Sequence, residues 1–151
     1  IEIANRHPSV GSVRPGPGVG GHCVSVDTWV FVEAAPDLTP LIRTARQVND
    51  EQPAFVVELV KRAVGDLAGK QIAALGLSYK PNVDDLRESP AIEVVRLLQQ
   101  NGAEVQAYEP FKPEAQIEGI VSVPSLAHVL EGAEAVLLLV AHRQFVGLEP
   151  E

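Results

Sequence analysis

The chain contains no methionine and a single cysteine among its 151 residues. An intact reading frame begins with methionine, so we expect this sequence, which starts at Ile1, to be a piece of a longer protein. The lone Cys23 excludes an internal disulfide and a zinc site built from several cysteines. The four histidines are scattered, so we predict no metal site. The scarcity of cysteine favours a reducing, cytoplasmic setting.

Positive charge is also scarce, because 12 Lys and Arg residues face 20 Asp and Glu residues and the formal net charge is −8. Nucleic acids and anionic membranes bind surfaces with a positive field, so neither is expected as a partner. The longest apolar run, from Ala135 to Ala141, is too short to span a bilayer, and no signal peptide is visible. With 46% hydrophobic residues, the chain can build the core of one ordinary domain, or of one small domain with an appendage.

Residues 39–67 show the apolar spacing of a helix. Thr39 is the expected N-cap and Pro40 the first helical residue, while Pro53 should kink or split the helix near Gln52. A long amphipathic helix of this kind packs either against a second copy of the chain or against its own domain. The sequence alone leaves both alternatives open.

After Gly69 the pattern alternates between strands and helices. Strands are predicted at residues 71–77, 104–108, 120–123 and 135–140, with a helix that Ser89 caps and a shorter one that starts at Pro124 and Ser125. This order predicts an α/β fold with a doubly wound, Rossmann-like parallel sheet, preceded by a glycine-rich loop and a long helix. The strand at 135–140 is apolar on both faces, which is typical of a sheet that helices cover on both sides.

The glycine-rich loop precedes the only cysteine, in the segment PGPGVGGHCVSVD at residues 15–27. It matches G-x-G-x-x-G, but no strand is predicted before it and Pro17 interrupts it, so a loop whose backbone approaches a substrate is favoured over a dinucleotide site. Cys23 is either a nucleophile presented by this loop or a small buried hydrophobe. Asp27 could orient a water or a base, or be a solvated carboxylate or a helix cap. Adjacency alone does not make His22 the general base.

The loop at residues 78–88 follows the first predicted strand, at the end where ligands of such sheets bind. Lys80 and Arg87 on this loop suit a diphosphate. The alternative is that they pair with the loop's own acidic residues, and charge alone favours that alternative. No spacing signal marks the remaining histidines His7, His128 and His142, which are more typical of surface or core positions.

Two long motifs resemble one family of enzymes. Residues 15–27 resemble the active-site cysteine motif of the UDP-glucose/GDP-mannose dehydrogenases, and residues 79–90 (YKPNVDDLRESP) resemble a second signature of that family. The segments at 5–8 (NRHP) and 41–49 (LIRTARQVN) fit as well. His22-Cys23 followed by Val26-Asp27 is most similar to the branch that oxidises UDP-N-acetylmannosamine, since the UDP-glucose branch more often has Lys where this chain has Val26.

The resemblance implies an NAD-dependent, four-electron oxidation of the C6 alcohol of a UDP-sugar. Cys23 would attack the intermediate aldehyde and carry a thiohemiacetal and then a thioester, and Asp27 would help to position water. Substrate-binding roles are implied for His7 from the neighbouring subunit, the Gly20 backbone, Tyr79 and Lys80. Arg87 would contact NAD.

The resemblance also implies a division into a central, dimerising region at 1–68 and a UDP-binding domain at 69–151 that is truncated at its C-terminus. The N-terminal NAD-binding domain is absent, so we expect the piece alone to be inactive, and the implied assembly is a homodimer through the 39–68 helix. A non-catalytic dimerising module that binds a nucleotide sugar, with Cys23 inert, is the competing hypothesis. A family member specific for UDP-glucose or GDP-mannose is another alternative, and a cysteine hydrolase is disfavoured because no His and Asn partners are positioned for it.

Overall fold

The computed structural model describes residues 2–8, 15–113 and 116–148. Its α-helices are α1 (Val24–Ala34), α2 (Pro40–Asp50), α3 (Gln52–Val64), α4 (Pro90–Gln100) and α5 (Leu126–Leu130). Its strands are β1 (Gln71–Leu75), β2 (Glu104–Tyr108), β3 (Val121–Ser122) and β4 (Ala135–Leu138). Short 3-10 helices span Ala4–Arg6 and Arg143–Phe145. The predicted α/β class is confirmed.

The four strands form one parallel sheet in the order β3-β2-β1-β4. In the register of this sheet Ile72 of β1 pairs with Val105 of β2 on one side and with Ala135 of β4 on the other. Because the strands are parallel, their carboxyl ends meet at one edge. The loops that follow β1, β2 and β4 therefore lie together, where ligands of such sheets bind.

The central strand β1 is buried on both faces because its side chains enter two separate apolar clusters. Ile72 and Ala74 join the cluster that α3 and α4 cover, whereas Ala73 and Leu75 join the cluster beneath α5. Helices on both faces of a parallel sheet make the unit doubly wound. This packing fixes β1 firmly, and with it the start of the loop that leaves its carboxyl end.

The long central helix is split, as Pro53 predicts. Helix α2 ends at Asp50 and α3 begins at Gln52, with Glu51 between them. Val57 and Val60 of α3 lie in the same apolar cluster as α4, so one face of the central helix packs on its own chain. The division into regions 1–68 and 69–151 stays a prediction.

Helix α1 was not predicted, although it begins directly after Cys23. Valines and a threonine dominate its sequence, VSVDTWVFVEA, and such β-branched residues favour strands. Only Val32 of this helix is buried, so no apolar stripe marks it in the sequence. Its first turn is closed by a backbone hydrogen bond that Asp27 N donates to Cys23 O at 2.7 Å.

The prediction that β4 is covered on both faces is wrong. Val136 and Leu138 keep 52% and 53% of their surface exposed. They share a face with Ala73 and Leu75 through the strand register, but the short α5 contacts β1 and β2 on that face. The strand also ends at Leu138 rather than at Val140.

Both predicted N-caps occupy the right position without capping through their side chains. The Thr39 hydroxyl donates instead to Ala35 O at 2.8 Å. Ser89 has the extended backbone of an N-cap before Pro90, but its Oγ is buried and has no hydrogen-bond partner within the described residues. The backbone preference of these residues and the proline therefore set the helix starts.

Candidate functional site

The glycine loop, which we define as residues 15–22, packs closely on the loop between β1 and α4. A Cβ placed on Gly20 would lie 2.2 Å from the carbonyl oxygen of Glu88, a distance at which no side chain fits. Gly21 has a φ of +86° and donates its N–H to Arg87 O at 3.2 Å. Glycine is therefore required at both positions, at Gly20 for the close approach and at Gly21 for its left-handed backbone.

Helix α2 holds the other side of the glycine loop. Val19 N donates to Asn49 Oδ1 at 2.8 Å, and Asn49 Nδ2 donates back to Val19 O at 3.5 Å. Sequence reasoning placed Asn49 in a family motif but gave it no role. Its amide binds both polar backbone groups of one loop residue, so the position of the loop depends on the central helix.

Cys23 lies at the junction between the glycine loop and α1, and its side chain is exposed. Asp27 follows one helical turn later and is also exposed. The hydroxyl of Ser25 donates to Gly21 O, which closes the first turn of the helix onto the loop. The side chain of Cys23 therefore leaves the chain at the N-terminus of α1, next to the glycine loop.

The predicted substrate residue Tyr79 lies against the glycine loop. A Cβ on Gly21 would be 3.0 Å from Tyr79 Cε2, so the aromatic ring covers the backbone two residues before Cys23. Lys80 is exposed, and its Nζ lies 5.3 Å from the centre of the Tyr79 ring. The structure thus brings Tyr79, from the loop after β1, against the glycine loop that precedes Cys23, and Lys80 lies beside the Tyr79 ring.

Arg87 binds the neighbouring carboxylate of Asp85, as the alternative interpretation of this loop predicts. Its Nη2 donates to Asp85 Oδ2 at 2.6 Å and its Nε to Oδ1 at 2.9 Å. This hydrogen-bonded pair raises the pKa of Arg87, with smaller effects from Tyr79 and Cys23, and it holds the pKa of Asp85 well below its usual value. Arg87 therefore lies within electrostatic range of the thiol, and 62% of its side chain remains exposed.

His7 is the predicted site residue that precedes the glycine loop in the chain. It is exposed and follows the 3-10 helix Ala4–Arg6. Residues 9–14, which join it to the glycine loop, lie outside the described part of the chain. Its predicted contact with the substrate of a neighbouring subunit stays a prediction.

Three buried polar residues near the site were missed by sequence reasoning. Ser78, Glu109 and His142 follow the carboxyl ends of β1, β2 and β4, and each is 1% exposed or less. Burial by itself would raise the pKa of Glu109, but hydrogen bonds from His142 and from three backbone N–H groups outweigh it and hold this pKa below its ordinary value. A polar residue after each of several apolar strands is a signal that could have identified them.

Two clefts border the loop between β1 and α4. One, of about 400 Å³, lies between the glycine loop, α2 and the start of α4, and buried Arg46 lines it. The other, of about 630 Å³, lies beside Arg87 and Lys112. Residues 2–8, 15–113 and 116–148 hold no group of three or more His, Cys, Asp or Glu side chains that could bind a metal. None of the described helices combines the length and the apolar character that a membrane crossing needs.

Comparison with known protein families gives two matches along the chain. The central domain of the UDP-glucose/GDP-mannose dehydrogenase family matches residues 1–51. The UDP binding domain of the same family matches residues 73–151. The two matches are in chain order, and each contains one of the loops that form the candidate site.

Individual relatives agree with these matches. The chain is 48% identical to an NDP-N-acetyl-D-galactosaminuronic acid dehydrogenase of Ralstonia solanacearum and 40% identical to a UDP-N-acetyl-D-mannosamine dehydrogenase of Campylobacter jejuni. All of the chain is covered in both cases, but it spans only 36% and 38% of these relatives. The solved UDP-D-ManNAc dehydrogenase of Pyrococcus horikoshii, 36% identical, superposes with a TM-score of 0.77 over 99% of this chain and 35% of its own.

Proposed function

Because this chain belongs to the UDP-glucose/GDP-mannose dehydrogenase family, we propose that it forms part of an NAD-dependent 6-dehydrogenase of UDP-sugars, with UDP-N-acetylmannosamine as its substrate. The observation that carries the proposal is the contact of Gly20 and Gly21 with Glu88 O and the Tyr79 ring. This contact joins the loop that presents Cys23 to the loop that carries Tyr79, Lys80 and Arg87. The sugar preference rests on residues 22–27 and on the names of several relatives.

Cys23 is the proposed nucleophile. Its sulfur bonds to C6 of the sugar aldehyde, whose oxygen takes up a proton to give a thiohemiacetal. Oxidation of that carbon gives a thioester, which water cleaves to release the C6 carboxylate and regenerate the thiol. Asp27, one turn along α1, positions the water, and Tyr79 and Lys80 hold the nucleotide sugar. Covalent capture retains a reactive aldehyde between the two oxidations.

Arg87 is the residue of this chain that suits NAD. Its guanidinium binds Asp85 but remains 62% exposed, and arginine matches the charge and the planar geometry of a pyrophosphate group. The glycine loop does not suit NAD, because the carbonyl of Glu88 occupies the space that Gly20 leaves. NAD bound there would supply the hydride acceptor for the oxidation of the C6 alcohol and for that of the thiohemiacetal. We place the reaction in the cytoplasm, where a nucleophilic thiol stays reduced.

Substrate choice and stoichiometry test this function in the full-length protein that contains these residues. We expect UDP-N-acetylmannosamine to yield about two NADH per sugar, because alcohol and aldehyde are both oxidised at one site, and UDP-glucose and UDP-N-acetylglucosamine to react far more slowly. The 151-residue chain alone serves as the control and should form no NADH, because the resemblance assigns its Rossmann-like unit to the nucleotide sugar. Turnover by this control, or one NADH per sugar, would contradict the proposal.

A homodimer through residues 39–68 is the proposed assembly. The face of α3 opposite α4 leaves Phe55 and Leu59 half exposed, and on α2 Leu41 and Val48 are 80% and 53% exposed; we call these four residues the stripe. Within each helix the two residues have the spacing of a single helical face. A second copy of the same stripe would bury them and complete the core of the central region.

Charge on this stripe should dissociate the dimer. We expect the double substitution Phe55→Lys and Leu59→Lys to shift the full-length protein to monomers in sedimentation velocity, because two lysines would be buried without partners. Ala54→Lys adds a charge to an exposed position of α3 away from the stripe, and this control should leave the dimer intact. A monomeric wild type, or a double variant that remains dimeric, would rule out this interface.

A further inference from the structure

The buried polar cluster, which we define as Ser78, Glu109 and His142, closes the sheet edge beneath the candidate site. Its three members are 1%, 0% and 1% exposed. Polar side chains at this depth are costly unless every group is hydrogen-bonded. Their partners lie mainly in the loop between β1 and α4, and the proposed function assigns no role to Glu109 or His142.

Glu109 binds the start of that loop. Its Oε2 accepts hydrogen bonds from Leu77 N at 2.7 Å and from Ser78 N at 2.9 Å. Its Oε1 accepts from Phe111 N at 3.0 Å. The carboxylate thus holds two consecutive backbone N–H groups immediately before Tyr79.

His142 binds the middle of the loop through its ring nitrogen Nδ1. Nδ1 lies 2.9 Å from Asn82 N, which donates to it, so the ring proton is on Nε2. Nε2 faces Glu109 Oε2 at 3.1 Å and Ser78 Oγ at 3.2 Å. The Phe111 and Phe145 rings pack against the imidazole at centroid distances of 5.1 and 5.6 Å. These hydrogen bonds and ring contacts together fix the orientation of the imidazole.

The loop between these two anchors is Tyr79–Lys80–Pro81. The Ser78 hydroxyl donates to Lys80 O at 2.9 Å, which adds a third attachment. Asn82 has a φ of +63°, a left-handed conformation that asparagine tolerates, and its Oδ1 accepts from Arg143 N at 2.9 Å. The backbone on both sides of Tyr79 and Lys80 is thus tied to buried groups of three strand ends.

We propose that Glu109 and His142 are positioning residues for the nucleotide sugar, acting through the backbone of Tyr79 and Lys80. The inference rests on the proposed function, because that function takes the side chains of Tyr79 and Lys80 as the contacts to the substrate. Neither Glu109 nor His142 is exposed to a ligand itself. Loss of the His142 anchor should therefore weaken substrate binding while the thiol at Cys23 and its chemistry remain in place.

Two substitutions of His142 distinguish its hydrogen bond with Asn82 N from its contact with Glu109. In His142→Asn the side-chain oxygen can occupy the place of Nδ1 and accept from Asn82 N, whereas the donor toward Glu109 is lost. His142→Gln can retain the donor toward Glu109 but loses the acceptor for Asn82. We expect His142→Gln to raise KM for the UDP-sugar about tenfold, as one lost hydrogen bond predicts, with kcat little changed. His142→Asn should keep KM near the wild-type value, although both variants lower Tm.

The measurements are made on the full-length protein, with amide hydrogen exchange of Tyr79, Lys80 and Asn82 as a readout besides activity. Faster exchange in His142→Gln than in His142→Asn supports the proposal even if no tested sugar is oxidised, which would refute only the proposed function. Equal exchange in the two variants, or equal KM values in active enzymes, would overturn the positioning role and leave His142 a purely structural residue.

Discussion

Replacement of Cys23 by serine is expected to abolish NADH production by the full-length enzyme, with a loss on the order of 10³-fold or more, as for other covalent nucleophiles. A serine hydroxyl at this exposed position keeps the shape of the side chain, but it is a far weaker nucleophile than the sulfur of cysteine. The steady-state rate with UDP-N-acetylmannosamine and NAD is the measurement.

A conservative change one turn further along α1 is the control for this result. Thr28 is a polar residue whose hydroxyl donates to Val24 O at 2.8 Å, and Thr28→Ser preserves that bond, so its rate should match the wild type. The Cys23→Ser protein should also keep its Tm and its affinity for UDP. Turnover by Cys23→Ser within a few-fold of the wild-type rate would exclude the covalent mechanism.

The second large effect is expected at Gly20. Alanine there would place its Cβ 2.2 Å from Glu88 O and 2.8 Å from Pro90 Cδ. Neither group is the end of a flexible side chain, so the glycine loop and the start of α4 must move apart. A displacement of about 1 Å near reacting groups can cost roughly 10²-fold in rate. We therefore expect kcat/KM to fall by about that factor, together with a lower Tm.

Gly16 provides a matched control in the same loop. A Cβ on Gly16 would meet no heavy atom of the described residues (2–8, 15–113 and 116–148) within 4 Å, so Gly16→Ala adds the same methyl group without a clash with them. Rates and Tm of this variant should equal those of the wild type. If Gly20→Ala were as active as Gly16→Ala, the close packing of the two loops would not be what holds the site together.

The sequence predicted the fold where local chemistry decides it. Pro53 marked the break in the central helix, and the apolar run at residues 71–77 marked β1, because the core selects the same residues that signal a strand. Helix α1 was missed because its valines favour a strand and its tertiary contacts bury only Val32. The exposure of Val136 depends on how far α5 extends over the sheet. The sequence around Val136 does not predict that extent.

The sequence predicted which residues belong to the candidate site better than it predicted how they are arranged in space. Cys23 stood out because a glycine loop precedes it, and family motifs identified Tyr79, Lys80 and Arg87. The contact of Gly20 with Glu88 O joins segments far apart in the chain, so it follows only from the fold. Glu109 and His142 gave no signal individually, because their roles arise only where the ends of three strands meet.

The central claim is that Cys23 and the loop of Tyr79 and Lys80 form one nucleotide-sugar site. Alkylation of Cys23 in the full-length protein, followed by peptide mass spectrometry at neutral pH with and without saturating UDP-N-acetylmannosamine, tests it most directly. We expect the exposed thiol of Cys23 to be alkylated within minutes in the free protein and to be strongly protected from alkylation when the sugar is bound. An unchanged alkylation rate, with sugar binding established independently by calorimetry, would contradict it.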